Sequence, residues 1–167
     1  MATLVVPGRE EAIRILQEGQ DEVRATLDRL RPADRLPIGI GGGRWSPKDL
    51  VGHLSSWEEH GLVALDAWER GERAPIDQAG GVNEVNAATL AAKAPLSWAS
   101  VVRDADDAHA EIIARVLALT DEEWTTAPVP RTRRSLGRRL GGILGGPAGL
   151  FRHVEAHLPD LRAFVDG

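Results

Sequence analysis

The sequence contains no cysteine. That excludes disulfides, thiolate metal sites and a cysteine nucleophile, and it fits a reducing compartment. Tyrosine is also absent, so no phenol is available for acid–base work. Phenylalanine occurs twice against five tryptophans, and only Lys48 and Lys93 stand beside eighteen arginines. No apolar run approaches the ~20 residues of a membrane span, so no membrane partner is expected. The stretch Met1 to Gly8 lacks the charged start and apolar run of a secretory leader. A cytoplasmic location is therefore expected. The net charge is −5. That balance does not advertise nucleic-acid binding, and no nucleic-acid partner is expected.

What is present is helical. A length of 167 residues fits a single domain over 1–167 and is long enough to bury a core without staples. Ile13, Leu16, Val23, Leu27 and Leu30 recur near the helical period and predict a first helix over 10–30. After a connection rich in Pro and Gly comes a strong start signal. Ser46 suits an N-cap, Pro47 suits the first helical position, and Asp49 completes a variant capping box. The second helix should run to about Arg70, with Leu50, His53, Leu54, Trp57, Gly61, Ala64, Leu65 and Trp68 inward. A short helix is predicted over 82–93 and a long one over 97–119. Thr120 to Trp124 reads as a capped single turn, and a short helix is placed over 135–144. The last helix is predicted from Pro147 to about Val165, kinked by Pro159. No period-two pattern or internal repeat interrupts this. Four main helices with short extras predict an all-α helical bundle.

The chemistry concentrates on histidine. His153 and His157 are four apart, so they share one helix face. His53 lies on the apolar stripe of the second helix and faces the core. Three imidazoles converging between two helices can hold a divalent ion and leave a coordination position open, as catalytic metal sites do. Imidazole suits Zn, Ni, Fe or Cu. The alternative is three polar side chains hydrogen-bonded at a helix–helix seam. His60 lies two turns after His53, as a substitute ligand, an acid–base group or a boundary residue. His109 reads as a surface or boundary residue. Glu58, Glu59, Glu155 and Asp160 are candidates to orient ligating imidazoles, or plain helix surface. Arg131, Arg133, Arg134, Arg138 and Arg139 form a cluster that can hold an anionic group or simply be solvated. The Gly39 to Gly43 run lacks the ending of a phosphate-binding loop and reads as a flexible connection.

Three stretches carry a resemblance. Arg44-Trp45-Ser46-Pro47-Lys48-Asp49-Leu50-Val51-Gly52-His53-Leu54-Ser55-Ser56-Trp57-Glu58 resembles the DinB/YfiT-like superfamily at its second helix. Val82-Asn83-Glu84-Val85-Asn86-Ala87-Ala88 resembles the start of that family's third helix. His153-Val154-Glu155-Ala156-His157-Leu158-Pro159-Asp160-Leu161 is similar to its closing histidine pair, although Pro159 departs from the commoner small residue. The resemblance implies a DinB-like four-helix bundle, often a homodimer. It also implies a divalent metal, Zn or Ni, on His53, His153 and His157. It further implies a metal-dependent hydrolase or thiol-dependent S-transferase acting on a small-molecule substrate, the latter with a low-molecular-weight thiol. The first two stretches also resemble the DfsB/ClbS-like self-protection branch. That kinship implies the rival reading, a non-catalytic or metal-free protein that binds and sequesters a small molecule. In the enzyme reading, Trp57 and Trp68 are expected to line an apolar pocket, and the arginines of 131–139 to hold a substrate carboxylate.

Overall fold

A computed structural model describes residues 4–167. Residues 1–3, part of the stretch considered for a leader, lie outside the described residues. Four long helices make the bundle: α1 (Arg9–Leu27), α2 (Pro47–Glu69), α4 (Trp98–Ala118) and α7 (His153–Asp166). The short helices α3 (Val82–Lys93), α5 (Asp121–Thr125) and α6 (Leu136–Ile143) complete it. Among the described residues there is no β-strand, and no helix is long and apolar enough to cross a membrane. The architecture is the all-α helical bundle expected.

The caps behave as their residues dictate. The Ser46 hydroxyl accepts from the Asp49 N–H at 3.1 Å, while the Asp49 carboxylate accepts from the Ser46 N–H at 3.0 Å. This fixes the start of α2 and hence the register of His53. Thr120 and Glu123 form the same reciprocal pair at α5. Helices α2 and α4 form the most extensive helix pair, α1 lies against α4 and α7, and α3 lies on α2. One apolar cluster joins Ile13, Leu65, Trp68, Ile112, Trp124 and Phe151. A second joins Val23, Leu27, Leu50, Val101, Leu158 and Leu161. Their burial removes apolar area from water, the dominant favourable term.

Two expectations change. The last helix starts at His153, not Pro147. Residues 145–152 are occupied by a tight turn in which Gly146 and Gly149 bridge each other and Phe151 has φ 64°. That strained φ puts the Phe151 ring in the core, stacked on Trp124 at 5.7 Å. Leu150 therefore belongs to the turn and not to the helix stripe. The Gly41 to Gly43 run is not loose. All three glycines have φ between 63° and 81°, a region only glycine enters freely. The turn is closed by bonds from Trp45 N–H to Ile40 C=O (3.0 Å) and from Ile40 N–H to Trp45 C=O (2.9 Å). It delivers Trp45 to the site. Helix α7 continues through Pro159 to Asp166.

Candidate metal centre

His53 is buried at 7% exposure, and His153 and His157 are partly buried. Their Nε2 atoms converge: His53 to His153 is 3.0 Å, His53 to His157 is 3.2 Å, and His153 to His157 is 3.2 Å. An ion ~2.0–2.1 Å from each nitrogen would hold them about 2.8–3.0 Å apart on an octahedral face. On a tetrahedral face the spacing is about 3.3–3.4 Å at the same bond length. The observed triangle falls between these values, so the donor set fits a first-row divalent ion. Hydrogen bonds among the three do not account for it equally well. Each ring N–H points along its own axis and serves one acceptor, so three facing nitrogens cannot satisfy one another.

Protonation favours the same conclusion. Burial, with the neighbouring His153 and His157 adding to it, pushes His53 down to about 3. Burial and His157 push His153 down to about 4. Burial lowers His157 as well, opposed by the carboxylate of Asp160. All three rings are therefore neutral at pH 7, which is the ligating form. Trp45 lies against His53 at 4.5 Å and His157 at 5.9 Å between ring centroids. Trp57 meets His153 edge-on at 6.2 Å, and its indole N–H donates to Asn86 Oδ1 at 3.1 Å. These aromatics hold the ring planes and keep water off their faces. The triad opens onto a cleft of about 650 Å³, lined also by Trp45, Trp57, Asn86 and Asp160.

The other candidates go elsewhere. His60 stands outside the triangle, edge-on to Trp57 at 5.4 Å, with its Nε2 buried and unpartnered among the described residues. His109, expected at the surface or boundary, shares a hydrogen bond with Glu58 at 2.9 Å in a largely buried pair between α2 and α4. Glu59 accepts from Lys93 at 2.7 Å, and Glu155 pairs with Arg152. Of the four carboxylates proposed to orient imidazoles, Asp160 is the one that acts on the triad. Trp68 does not line the cleft. It is a core residue at 5% exposure, with the Arg139 guanidinium 5.6 Å above its ring. The contributions of Trp45 and Asn86 to the site depend on the glycine turn and on the α2–α3 contact. Only the Trp-Ser start and the Asn83/Asn86 pattern marked them in the sequence.

Comparison with known proteins places the chain. The model of the DinB superfamily matches residues 15–145. The chain belongs to the DinB superfamily. The matched stretch contains His53 and stops short of His153 and His157. A crystal structure of an uncharacterised protein from Escherichia coli UTI89 superposes with TM-score 0.77 at 16% identity, covering 96% of this chain and 95% of that one. The colibactin self-resistance protein ClbS, in a crystal structure with double-stranded DNA, superposes with TM-score 0.68 at 14% identity, covering 97% and 94%. No curated protein matches the chain by sequence.

The ClbS complex overturns the expectation that nucleic acid is not a partner. A protein of this fold is seen holding duplex DNA. A net charge of −5 therefore excludes nothing for such a chain. The physical reason is that net charge is a sum over the whole surface, whereas phosphates answer to the local field. Here that field includes Arg131, Arg133, Arg134 and Arg138, while Arg139 is paired with Asp77.

Proposed function

We infer that this member of the DinB superfamily binds a divalent metal, Zn or Ni, through His53, His153 and His157. On this reading it acts on a small molecule in the adjoining cleft, as a hydrolase or a thiol-dependent S-transferase. The observation that carries the reading is the triangle of three neutral Nε2 atoms at 3.0–3.2 Å, open on one side to the cleft. When bound, a divalent ion supplies Lewis acidity toward groups presented from that side. The chain's own residues do the rest. Trp45 and Trp57 shield the imidazoles and bound the cleft, Asn86 holds Trp57, and Asp160 places a carboxylate beside His157. The absence of protein cysteine keeps a low-molecular-weight thiol from competing with a protein thiolate for the ion. A cytoplasmic location and a homodimer accompany this reading.

Metal content of protein purified without tag or chelator tests it, beside a His53→Ala/His153→Ala double variant. Near one metal per chain, lost in the variant, is the expected result. No metal in either protein, and none taken up on adding Zn or Ni, would end the metal reading.

The second reading is self-protection without turnover, by holding a reactive small molecule or the duplex DNA it would attack. It is supported by the likeness to ClbS and by the exposure of Arg131, Arg133 and Arg134. Stoichiometric protection with no product, or a salt-dependent shift of duplex DNA, would favour it over catalysis.

A further inference from the structure

The histidine cleft does not end at Ile143. A second hollow of about 430 Å³ adjoins it, and Trp57, Val82, Gly142 and Ile143 line both. One end of the combined groove holds the three histidines. The other end holds Arg134, Arg138 and Arg139. Between them the wall is largely apolar, with Trp57, Val82, Ile143 and Leu150 contributing.

The arginines are not equivalent. Arg139 is already neutralised by Asp77 and anchored over Trp68. Arg134 and Arg138 have no carboxylate partner among the described residues. Among the described residues the Arg138 guanidinium reaches only the Leu4 carbonyl, at 3.4 Å. Two uncompensated guanidiniums thus close an apolar groove on a chain whose net charge is −5. Such a spot concentrates anions locally while the rest of the surface repels them. Gly142 sits where the two hollows meet. A Cβ there would meet nothing within 4 Å, so a longer side chain at this position has open space at the junction to occupy.

We propose that the groove takes an elongated, partly apolar small molecule whose terminal carboxylate or phosphate rests on Arg134 and Arg138 while its other end lies at the histidines. This rests on the metal reading above and names the substrate class for it. The apolar wall selects against a purely polar anion, and the guanidinium pair selects against a neutral chain. Arg139 with Asp77 forms the fixed floor beside them.

Cobalt-loaded protein tests this with thiol probes, since thiolate ligation gives a charge-transfer band independent of turnover. Mercapto-octanoate, mercapto-octyl phosphate and mercapto-octanol share one anchor and differ at the far end. The acids are expected to bind at least roughly tenfold tighter than the alcohol, as charge-assisted hydrogen bonds allow. Comparing carboxylate with phosphate identifies the preferred anion. Arg134→Gln/Arg138→Gln should erase the preference and leave the cobalt spectrum unchanged. Gly142→Leu should weaken mercapto-octanoate at least roughly tenfold by closing the passage, while mercaptoethanol binds as before. Equal binding of acids and alcohol would overturn the proposal, as would a preference that survives the double arginine variant. If the arginine variant weakens binding of a short DNA duplex while acids and alcohol bind alike, those residues serve nucleic acid instead. Failure to load cobalt would overturn the metal reading, and this inference with it. Loading without acid preference removes only the inference.

Discussion

Acid should unfold the metal-free protein before it titrates the histidine cluster. Unfolded, His53 and His153 take up protons near pH 6.5; folded, they resist until about 3 and about 4. Between those limits the unfolded chain binds more protons, so stability falls as pH falls. Each group held neutral contributes a slope of about 1.4 kcal/mol per pH unit in that window. From pH 7 to pH 5 this gives about 2 kcal/mol for each, and about 4 kcal/mol together. Against a typical total of about 5–15 kcal/mol, that is a large fraction. His60, also lowered by burial, adds in the same direction. The assay is urea denaturation of chelator-treated protein at pH 7, 6 and 5, with the slope m checked for constancy. A His53→Asn/His153→Asn variant supplies the control, because it lacks both groups. Its pH dependence should be shallower by about 4 kcal/mol over the same span. Identical pH dependence in the two proteins would refute the argument that these imidazoles are buried and neutral. In the folded protein His53 and His153 need no deprotonation above about pH 5, so these two ligands should add almost no pH dependence to metal affinity measured from pH 7 to 5.

Further tests address the frame around the site. Gly137→Ala places a Cβ 2.5 Å from the Trp124 ring, which is itself buried and donates to the Pro7 carbonyl at 2.9 Å. It should lower stability by about 1–3 kcal/mol in chemical denaturation. Gly142→Ala, which meets nothing within 4 Å in the same helix, should be neutral or stabilising by up to ~1 kcal/mol. Equal effects at the two positions would mean the contacts assigned to Trp124 are wrong. Trp45→Ala removes the ring against His53 and His157. It should cost about 2–3 kcal/mol and raise the His53 pKa by admitting water, as read by proton NMR of the imidazole. In Asp160→Asn the carboxylate that opposes the lowering of His157 is lost. The His157 pKa should therefore fall further, and a rise on the same titration would contradict the assignment.

The bundle was legible because its signals are local. The Ser46/Asp49 and Thr120/Glu123 boxes fix helix starts within four residues, and α3 occupies the predicted 82–93. The histidine set was legible for a related reason. Spacing of four puts His153 and His157 on one face, and the apolar stripe of α2 turns His53 inward. The glycine turns were not legible in the same way. A run such as Gly41 to Gly43 is equally compatible with a loose linker and with three left-handed residues in a closed turn. The choice depends on the Ile40–Trp45 bonds and on Trp45 packing against His53.

The displaced start of α7 follows the same logic. Pro147 is a good first helical residue in isolation. It is overridden because Phe151 stacks on Trp124 and its N–H donates to the Gly141 carbonyl at 3.0 Å. An early helix would surrender both contacts. The turn has a consequence for the site: it makes His153 the first residue of α7, with its N–H donating to the Leu144 carbonyl at 3.2 Å. One anchor of the triad is therefore set by α6 and the turn after it, not by α7 alone. The same segment supplies Gly142 and Ile143 to the groove wall. Long-range packing of two aromatic rings thus decides where the histidine pair begins, and no local pattern in residues 145–152 encodes that.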